Sequence, residues 1–261
     1  MTDKIIARRQ DGVGHVIFNN PDKRNAVSLD MWRAVDDALD AFASDDEVRV
    51  LVLSGAGGKA FVSGADISKF EDERTGAEAV ARYNATTAKI YGKLNAFAKP
   101  TIAQITGSCV GGGVALAVCC DLRICGEGSR FAIPAAKLGL GYGFAGLERL
   151  VNLVGPAFAK EMFFTARLFS AAEAYEMGLV NRVVPDDQVE SYVADYAGTI
   201  TGNAPLTVGA VKAIVGEVLK DPEARDLTMC EQLVQRCFAS RDYVEGRQAF
   251  LEKRPPRFVG A

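Results

Sequence analysis

The 261-residue chain contains a single histidine, His15, and none of its six cysteines form a pair at C-x-x-C spacing. An imidazole-based metal site and a Ser-His-Asp triad are therefore not expected, and we predict no metal site. The net charge is only −3 and no long basic run occurs, so nucleic acid is not an expected partner. No apolar run reaches the roughly 18 residues of a membrane span, and the N-terminus lacks the apolar segment of a secretory signal. We predict a cytoplasmic protein without a membrane partner.

Two glycine-containing stretches are present, and each follows an apolar run and precedes a predicted helix start. The first covers residues 58–67, and the second covers residues 108–121 with three successive glycines at 111–113. Residues without a Cβ let the backbone approach a ligand closely, and the N–H groups of a helix start attract negative charge. Two N–H donors, one from each stretch, could converge on one carbonyl oxygen and stabilise an oxyanion or enolate. The alternative is that the glycines only permit tight packing beneath a helix.

Hydrophobic periodicity alternates strands and helices through the first half of the chain, which predicts an α/β fold around one sheet. The predicted strands lie at 13–18, 48–53, 101–106, 121–125 and 130–133, and the predicted helices at 29–42 and 78–98. Further on, Ser170-Ala171-Ala172-Glu173 has the form of a capping box, and residues 179–184 read as a last strand. Residues 186–250 are helical in pattern, with interruptions at Pro205 and Pro222. We divide the chain into a core, residues 1–195, and a helical assembly region, residues 196–261.

The two glycine stretches together resemble the signatures of the crotonase superfamily, also called the enoyl-CoA hydratase/isomerase family. Four other segments match in order and spacing, so the resemblance covers nearly the whole chain: residues 22–26, 50–55, 174–180 and 250–254. The resemblance implies a spiral of ββα units followed by a helical region through which subunits form trimers, often paired as hexamers. It also implies an acyl-CoA substrate, so that coenzyme A enters with the substrate and no separate cofactor is needed.

The resemblance assigns catalytic and binding roles to particular positions. The oxyanion hole is implied to consist of the backbone N–H groups of Ala65 and Gly112. The positions implied to contact the substrate are Arg24, Ala26, Ser63, Gly64, Asp66, Ile67, Gly111, Ala115, Ala135 and Lys253. Arg24 and Lys253 would supply charge-assisted bonds to the phosphates of CoA. The alternatives left open are a solvated surface charge for each of these two residues and helix capping for Asp66.

The chain departs from the family pattern at the two glutamates with which the hydratases activate water. Ala115 and Ala135 stand at these positions, and a methyl group cannot transfer a proton. Tyr142 lies in a loop that is similar to that of a methylmalonyl-CoA decarboxylase branch, in which a tyrosine is implicated in the active site. Loss of CO₂ itself generates an enolate, so we predict a catalytic Tyr142. The alternatives are a Tyr142 ring that only lines the pocket, and Lys137 or Glu148 as the nearby polar group.

These observations lead to an expected function. We expect a lyase or isomerase that acts on an acyl-CoA through an oxyanion-stabilised enolate, with decarboxylation or another reaction without paired glutamates preferred over hydration. One alternative is a true enoyl-CoA hydratase whose acid and base come from elsewhere in the pocket. The other is a catalytically silent acyl-CoA-binding protein. The sequence does not identify the acyl group.

Overall fold

The strands of the protein form two sheets in a computed structural model that describes residues 2–69 and 75–261. The large sheet consists of β1 (Ile5–Gln10), β2 (Val13–Phe18), β3 (Val50–Gly55), β5 (Thr101–Ile105), β7 (Leu122–Gly126) and β10 (Arg182–Val184), in that spatial order. The small sheet consists of β4 (Ala60–Val62), β6 (Ser108–Val110), β8 (Arg130–Ala132) and β9 (Phe169–Ser170), also in that order. The pairs β1–β2 and β8–β9 are antiparallel, and the other neighbouring strands run parallel.

Helices follow the strands in a repeating order. Within residues 2–69 and 75–261 the α-helices are α1 (Leu29–Ser44), α2 (Ala77–Asn95), α3 (Gly112–Ala117), α4 (Phe144–Thr165), α5 (Ala171–Glu176), α6 (Val189–Thr201), α7 (Pro205–Val218), α8 (Leu227–Phe238) and α9 (Arg241–Glu252). Three times the chain adds a strand to the large sheet, then one to the small sheet, and then forms a helix: β3-β4-α2, β5-β6-α3 and β7-β8-α4. This is the expected spiral of ββα units, and the α/β class is confirmed.

The prediction of one sheet is wrong. The small sheet is built from strands of two or three residues, and only β8 among them corresponds to a predicted strand, at 130–133. The other three are too short to show an alternating pattern. One of them, β6, lies between the predicted strand at 101–106 and the glycine triplet. Strand β1 also escapes prediction, because only Ile5 of its six residues is buried. The last strand, predicted at 179–184, is confined to 182–184.

The main hydrophobic core lies around Trp32 of α1. Phe18 of β2 packs edge-on against Trp32 at a centroid distance of 6.4 Å and against Phe61 of β4 at 6.2 Å. A second apolar cluster forms where α6 covers another part of the large sheet, with Val52 and Val193 among its members. The core therefore joins both sheets and holds the loops that follow their strands.

The predicted capping box at the start of α5 is confirmed. The Glu173 N–H donates to Ser170 Oγ at 3.2 Å, and the Ser170 N–H donates to Glu173 Oε2 at 2.8 Å. Pro205 is the first residue of α7, and Pro222 begins a short 3-10 turn, so both prolines interrupt the helical region as expected. The division at 195/196 stays a prediction, and that boundary lies inside α6.

Candidate active site

The two glycine stretches meet at the loop after β4 and the first turn of α3. Val27 and Ala65 form a parallel bridge, in which the Val27 N–H donates to Gly64 O at 2.9 Å and the Asp66 N–H donates to Val27 O at 3.0 Å. A Cβ placed on Gly64 would lie 3.8 Å from Gly112 N, and one placed on Gly112 would lie 3.7 Å from Gly64 Cα. The structure therefore brings together the loops that carry Ala65 and Gly112, which the sequence pairs in one oxyanion hole.

The backbone N–H groups of Ala65 and Gly112 are available to a ligand. In a parallel bridge, Gly64 and Asp66 bond to Val27, so Ala65 directs its own N–H to the other side. Gly112 is the first residue of α3, and an N–H at that position has no acceptor within its helix. Within residues 2–69 and 75–261, neither N–H donates to a backbone carbonyl. Two donors on adjacent loops are what an oxyanion hole requires.

Two glycines in the triplet are required for backbone reasons. Gly111 has φ +55° and ψ −112°, a conformation that side chains disfavour, and its N–H donates to Ala132 O at 2.8 Å. A Cβ on Gly113 would lie 2.0 Å from Val62 O, because the first turn of α3 packs directly on β4. The tight-packing alternative is therefore correct for Gly113, whereas Gly112 has more space, with its nearest neighbour at 3.3 Å.

Ala115 and Ala135 lie on the two segments next to this hole. The pairing of Val110 in β6 with Ala132 in β8 places Gly111 beside Pro134, at 3.9 Å between a Cβ on Gly111 and the Pro134 Cδ. Ala115 follows in α3 and is half-buried, and Ala135 follows Pro134 in a 3-10 turn and is buried. Both segments reach the site, and neither position carries a titratable group.

Tyr142 lies in the loop before α4 with its ring packed on that helix. The ring meets Phe163 edge-on at a centroid distance of 4.7 Å, and a Cβ on Gly146 would lie 3.1 Å from the Tyr142 Cε1. Burial raises the pKa of Tyr142 to about 12, and nearby Cys119 adds to the rise. The phenol is therefore protonated at neutral pH. The ring does contribute to packing, and a catalytic role of its hydroxyl stays a prediction. Lys137 and Glu148 are both exposed.

Asp66 caps the short turn at 67–69, as the capping alternative predicts. Its Oδ1 accepts the Ser68 N–H at 3.1 Å and the Ser68 hydroxyl at 2.6 Å, while its Oδ2 accepts from Lys23 Nζ at 2.9 Å. Burial acts to raise the pKa of Asp66, but the hydrogen bonds from Ser68 and Lys23 outweigh it and lower that pKa. The Lys23–Asp66 pair links the turn at 21–23 to the loop that carries Ala65.

The remaining predicted contacts lie around this junction, with one exception. Ala26 is buried, Ser63 is half-buried and donates from Oγ to Lys23 O at 3.3 Å, and Ile67 is 67% exposed. The Arg24 carbonyl accepts the Ser63 N–H at 3.2 Å, which joins the Arg24 backbone to this loop. The residue is exposed, and its side chain lies at the surface. Lys253 is exposed at the end of α9, and its side chain makes no hydrogen bond or ion pair to the described loops. Within the described part of a single chain, no hydrogen bond or ion pair connects Lys253 with Arg24.

Tyr91 of α2 is a site residue that the sequence analysis missed. Its hydroxyl donates to Gly112 O at 3.3 Å, and its ring packs edge-on against Trp32 at a centroid distance of 5.4 Å. A signal was present, because Tyr91 lies one turn after Thr87 and one turn before Leu94 in the predicted apolar stripe. A residue at that position faces the core, and a tyrosine there places its hydroxyl at the edge of the core.

Two further findings concern metal-binding side chains and long apolar helices. No three side chains of the metal-binding types cluster in the described ranges. No helix in those ranges combines the length and apolar character needed to cross a bilayer.

Comparisons with known proteins identify the family of the chain. Residues 8–261 match the sequence model of the family described as enoyl-CoA hydratase/isomerase. The chain is 36% identical over 257 residues to a crotonyl-CoA hydratase from Syntrophomonas wolfei, with 98% of each chain covered. It is 33% identical over 252 residues to a short-chain-enoyl-CoA hydratase from Clostridium acetobutylicum, covering 97% of this chain and 96% of the relative. A crystal structure of an enoyl-CoA hydratase/carnithine racemase from Magnetospirillum magneticum superposes with a TM-score of 0.95 at 35% identity, covering 100% of this chain and 97% of the other. The chain belongs to the enoyl-CoA hydratase/isomerase family, the crotonase superfamily that its glycine stretches resemble.

Proposed function

We propose that the protein binds an acyl-CoA thioester and stabilises its enolate with the N–H groups of Ala65 and Gly112. The observation that carries this proposal is the meeting of two loops whose N–H donors have no backbone acceptor. Preorganised donors aimed at a developing oxyanion cost no reorganisation during the reaction. The thioester oxygen would therefore be polarised as soon as it enters the site.

The first candidate reaction is addition of water to an enoyl-CoA. Relatives that cover almost the whole chain are named as hydratases of crotonyl-CoA, short-chain enoyl-CoA and 2,3-dehydroadipyl-CoA. These names favour hydration over the expected preference for decarboxylation, which no comparison supports. Since Ala115 and Ala135 lack titratable groups, the proton transfers would involve other groups, such as Tyr142 or an ordered water.

The second candidate reaction is decarboxylation, and one observation favours it. The two methyl groups leave the site without the paired carboxylates of water activation, whereas a departing CO₂ leaves its electron pair as the enolate. The protonated phenol of Tyr142 would then return a proton to the α-carbon. A silent acyl-CoA-binding protein is the outcome if neither reaction occurs.

The proposed substrate contacts fall into two groups, those to the phosphates of CoA and those to the thioester and the adjoining chain. Arg24 would pair with phosphate, and Lys253 would do so after assembly with another subunit. The residues proposed to border the thioester and the adjoining chain are Ala26, Ser63, Gly64, Asp66, Ile67, Gly111, Ala115 and Ala135. Asp66 acts indirectly in this scheme, because its carboxylate is occupied by Ser68 and Lys23.

Calorimetry followed by mass spectrometry tests this function. The panel consists of crotonyl-CoA, a longer 2-enoyl-CoA, methylmalonyl-CoA and saturated butanoyl-CoA, with free CoA and the free acids as controls. Hydration adds the mass of water and decarboxylation removes the mass of CO₂. Isomerisation leaves the mass unchanged and is followed by the change in enoyl-thioester absorbance when the double bond leaves conjugation. Binding without any product supports the silent protein, and no binding of any thioester would refute the proposal.

Tyr142→Phe is expected to lower turnover about 10²-fold or more if the hydroxyl handles a proton. The variant keeps the ring against Phe163, so acyl-CoA affinity should change by less than about tenfold. Steady-state kinetics on whichever thioester is turned over provides the measurement, and thermal unfolding confirms that the variant is folded. Parent-like turnover would return Tyr142 to the pocket-lining role.

We further propose that the protein assembles as a homotrimer or a dimer of trimers through residues 196–261. Helices α7 to α9 border an open apolar groove of about 810 Å³, and Phe238, Phe250 and Leu251 along it are 62%, 84% and 79% exposed. Exposed apolar surface of this extent is typical of subunit interfaces. The cytoplasmic location and the absence of other partners stay predictions.

Light scattering should report three or six times the chain mass of 27.9 kDa at micromolar concentration. Phe250→Asp should shift the mass toward the monomer, because it places a charge in the apolar groove. Phe164→Asp is the matched control, since Phe164 is 77% exposed but lies outside the C-terminal region, and this variant should remain at least trimeric. A monomeric parent would refute the assembly.

A further inference from the structure

Tyr91 contacts the first turn of α3 from α2, a helix that lies outside both glycine stretches. Its hydroxyl donates to Gly112 O at 3.3 Å. A Cβ placed on Gly112 would lie 3.3 Å from the Tyr91 hydroxyl oxygen. The ring rests edge-on against Trp32, which is 1% exposed. The position of the hydroxyl is therefore set by packing in the core.

The segment that Tyr91 contacts is held by its backbone. Gly111, Gly112 and Gly113 have no side chains, so only backbone contacts fix the orientation of their peptides. Gly111 is held through its N–H by Ala132 O, and Gly113 is held by its close approach to Val62 O. Tyr91 adds a side-chain hydrogen bond to the carbonyl of Gly112, the residue whose N–H is the proposed oxyanion donor.

The same side of α3 carries the vacant glutamate position. Gly112 and Ala115 lie at i and i+3 of α3 and so share one side of that helix. The Tyr91 hydroxyl therefore contacts the residue that lies one turn before the vacant glutamate position.

We propose that Tyr91 is a positioning residue of the oxyanion hole: its hydroxyl holds the Gly112 carbonyl and so fixes the first turn of α3, from which the Gly112 N–H points at the thioester oxygen. This inference rests on the proposed function, because it assigns a role within that hole. A hydrogen bond of this kind has a modest net strength, so its loss should lower kcat about three- to tenfold rather than abolish activity. The effect on KM should be smaller, since the contacts to CoA are unchanged.

Isotope-edited infrared spectroscopy of bound butanoyl-CoA with a ¹³C-labelled thioester carbonyl tests the inference. Hydrogen bonding to the carbonyl oxygen lowers its stretching frequency, so the parent should show a lower frequency for bound than for free thioester. Tyr91→Phe keeps the ring on Trp32 and should return part of that shift. Tyr83→Phe is the matched control, because it removes another phenol of α2, the one whose oxygen accepts the Trp32 Nε1–H at 3.3 Å.

The outcomes separate the inference from the proposed function. A smaller shift in Tyr91→Phe, with Tyr83→Phe like the parent and both variants folded by circular dichroism, supports the inference. Equal shifts in the parent and both variants would overturn it and leave the proposed function intact. Equal losses in both variants would also overturn it, because the cause would then be the packing of α2 on Trp32. A parent that does not bind the thioester, or binds it without a shift, would overturn the proposed function and the inference with it.

Discussion

Gly112→Pro should lower turnover about 10²- to 10³-fold, because it removes one of the two proposed oxyanion donors. Proline is well tolerated at the first position of a helix, where the missing N–H has no intrahelical acceptor. The preceding residue, Gly111, has no Cβ to clash with the proline ring. The substitution therefore replaces the donor hydrogen by a methylene group of the proline ring, with little expected damage to α3.

Gly112→Ala is the matched control for this variant. It keeps the N–H and adds a methyl group whose nearest neighbour, at 3.3 Å, is the Tyr91 hydroxyl on a side chain that can shift slightly. We expect it to retain most of the turnover, within about tenfold of the parent. Both variants are measured on the thioester identified by the panel, with thermal unfolding as the test of folding. A folded Gly112→Pro enzyme with parent-like turnover would show that Gly112 is not an oxyanion donor.

The sequence predicts the elements whose stabilising pattern is local. The apolar run at 13–18 is long enough to specify β2, and Ser170 and Glu173 suffice to specify the start of α5. Two strands of the small sheet have no such signal, since Ala60–Val62 and Ser108–Val110 are stabilised by pairing with each other and, for the second, with Arg130–Ala132. Non-local pairing of short segments is what a single sequence does not reveal.

The candidate site divides in the same way. Ala65, Gly112, Ala115 and Ala135 could be placed from the sequence because they lie within or next to recognisable motifs, and the fold brings their loops together. The contact of Tyr91 with Gly112 could not be predicted, because it depends on how α2 packs against α3. The reaction could not be predicted either, since Ala115 and Ala135 carry no titratable group that would indicate one.

Replacing both alanines by glutamate should raise the rate of crotonyl-CoA hydration. A general acid or base is typically worth about 10² to 10⁴ in rate, so Ala115→Glu with Ala135→Glu has the largest expected effect of these variants. Ala135 is 6% exposed, and a carboxyl group buried there would have a raised pKa, as a general acid near neutral pH requires. We expect slow hydration by the parent and a gain of about 10²-fold or more for the double variant.

The control is the double variant Ala115→Gln with Ala135→Gln, which adds side chains of nearly the same size without titratable groups. Hydration is followed by loss of the conjugated enoyl-thioester absorbance, and each single glutamate variant is measured beside the double variant. A gain confined to the glutamate pair would show that the oxyanion hole is intact and that only the acid and base are missing. A parent that already hydrates crotonyl-CoA at about 10 s⁻¹, a typical enzymatic turnover, would instead show that other groups of this site perform the proton transfers.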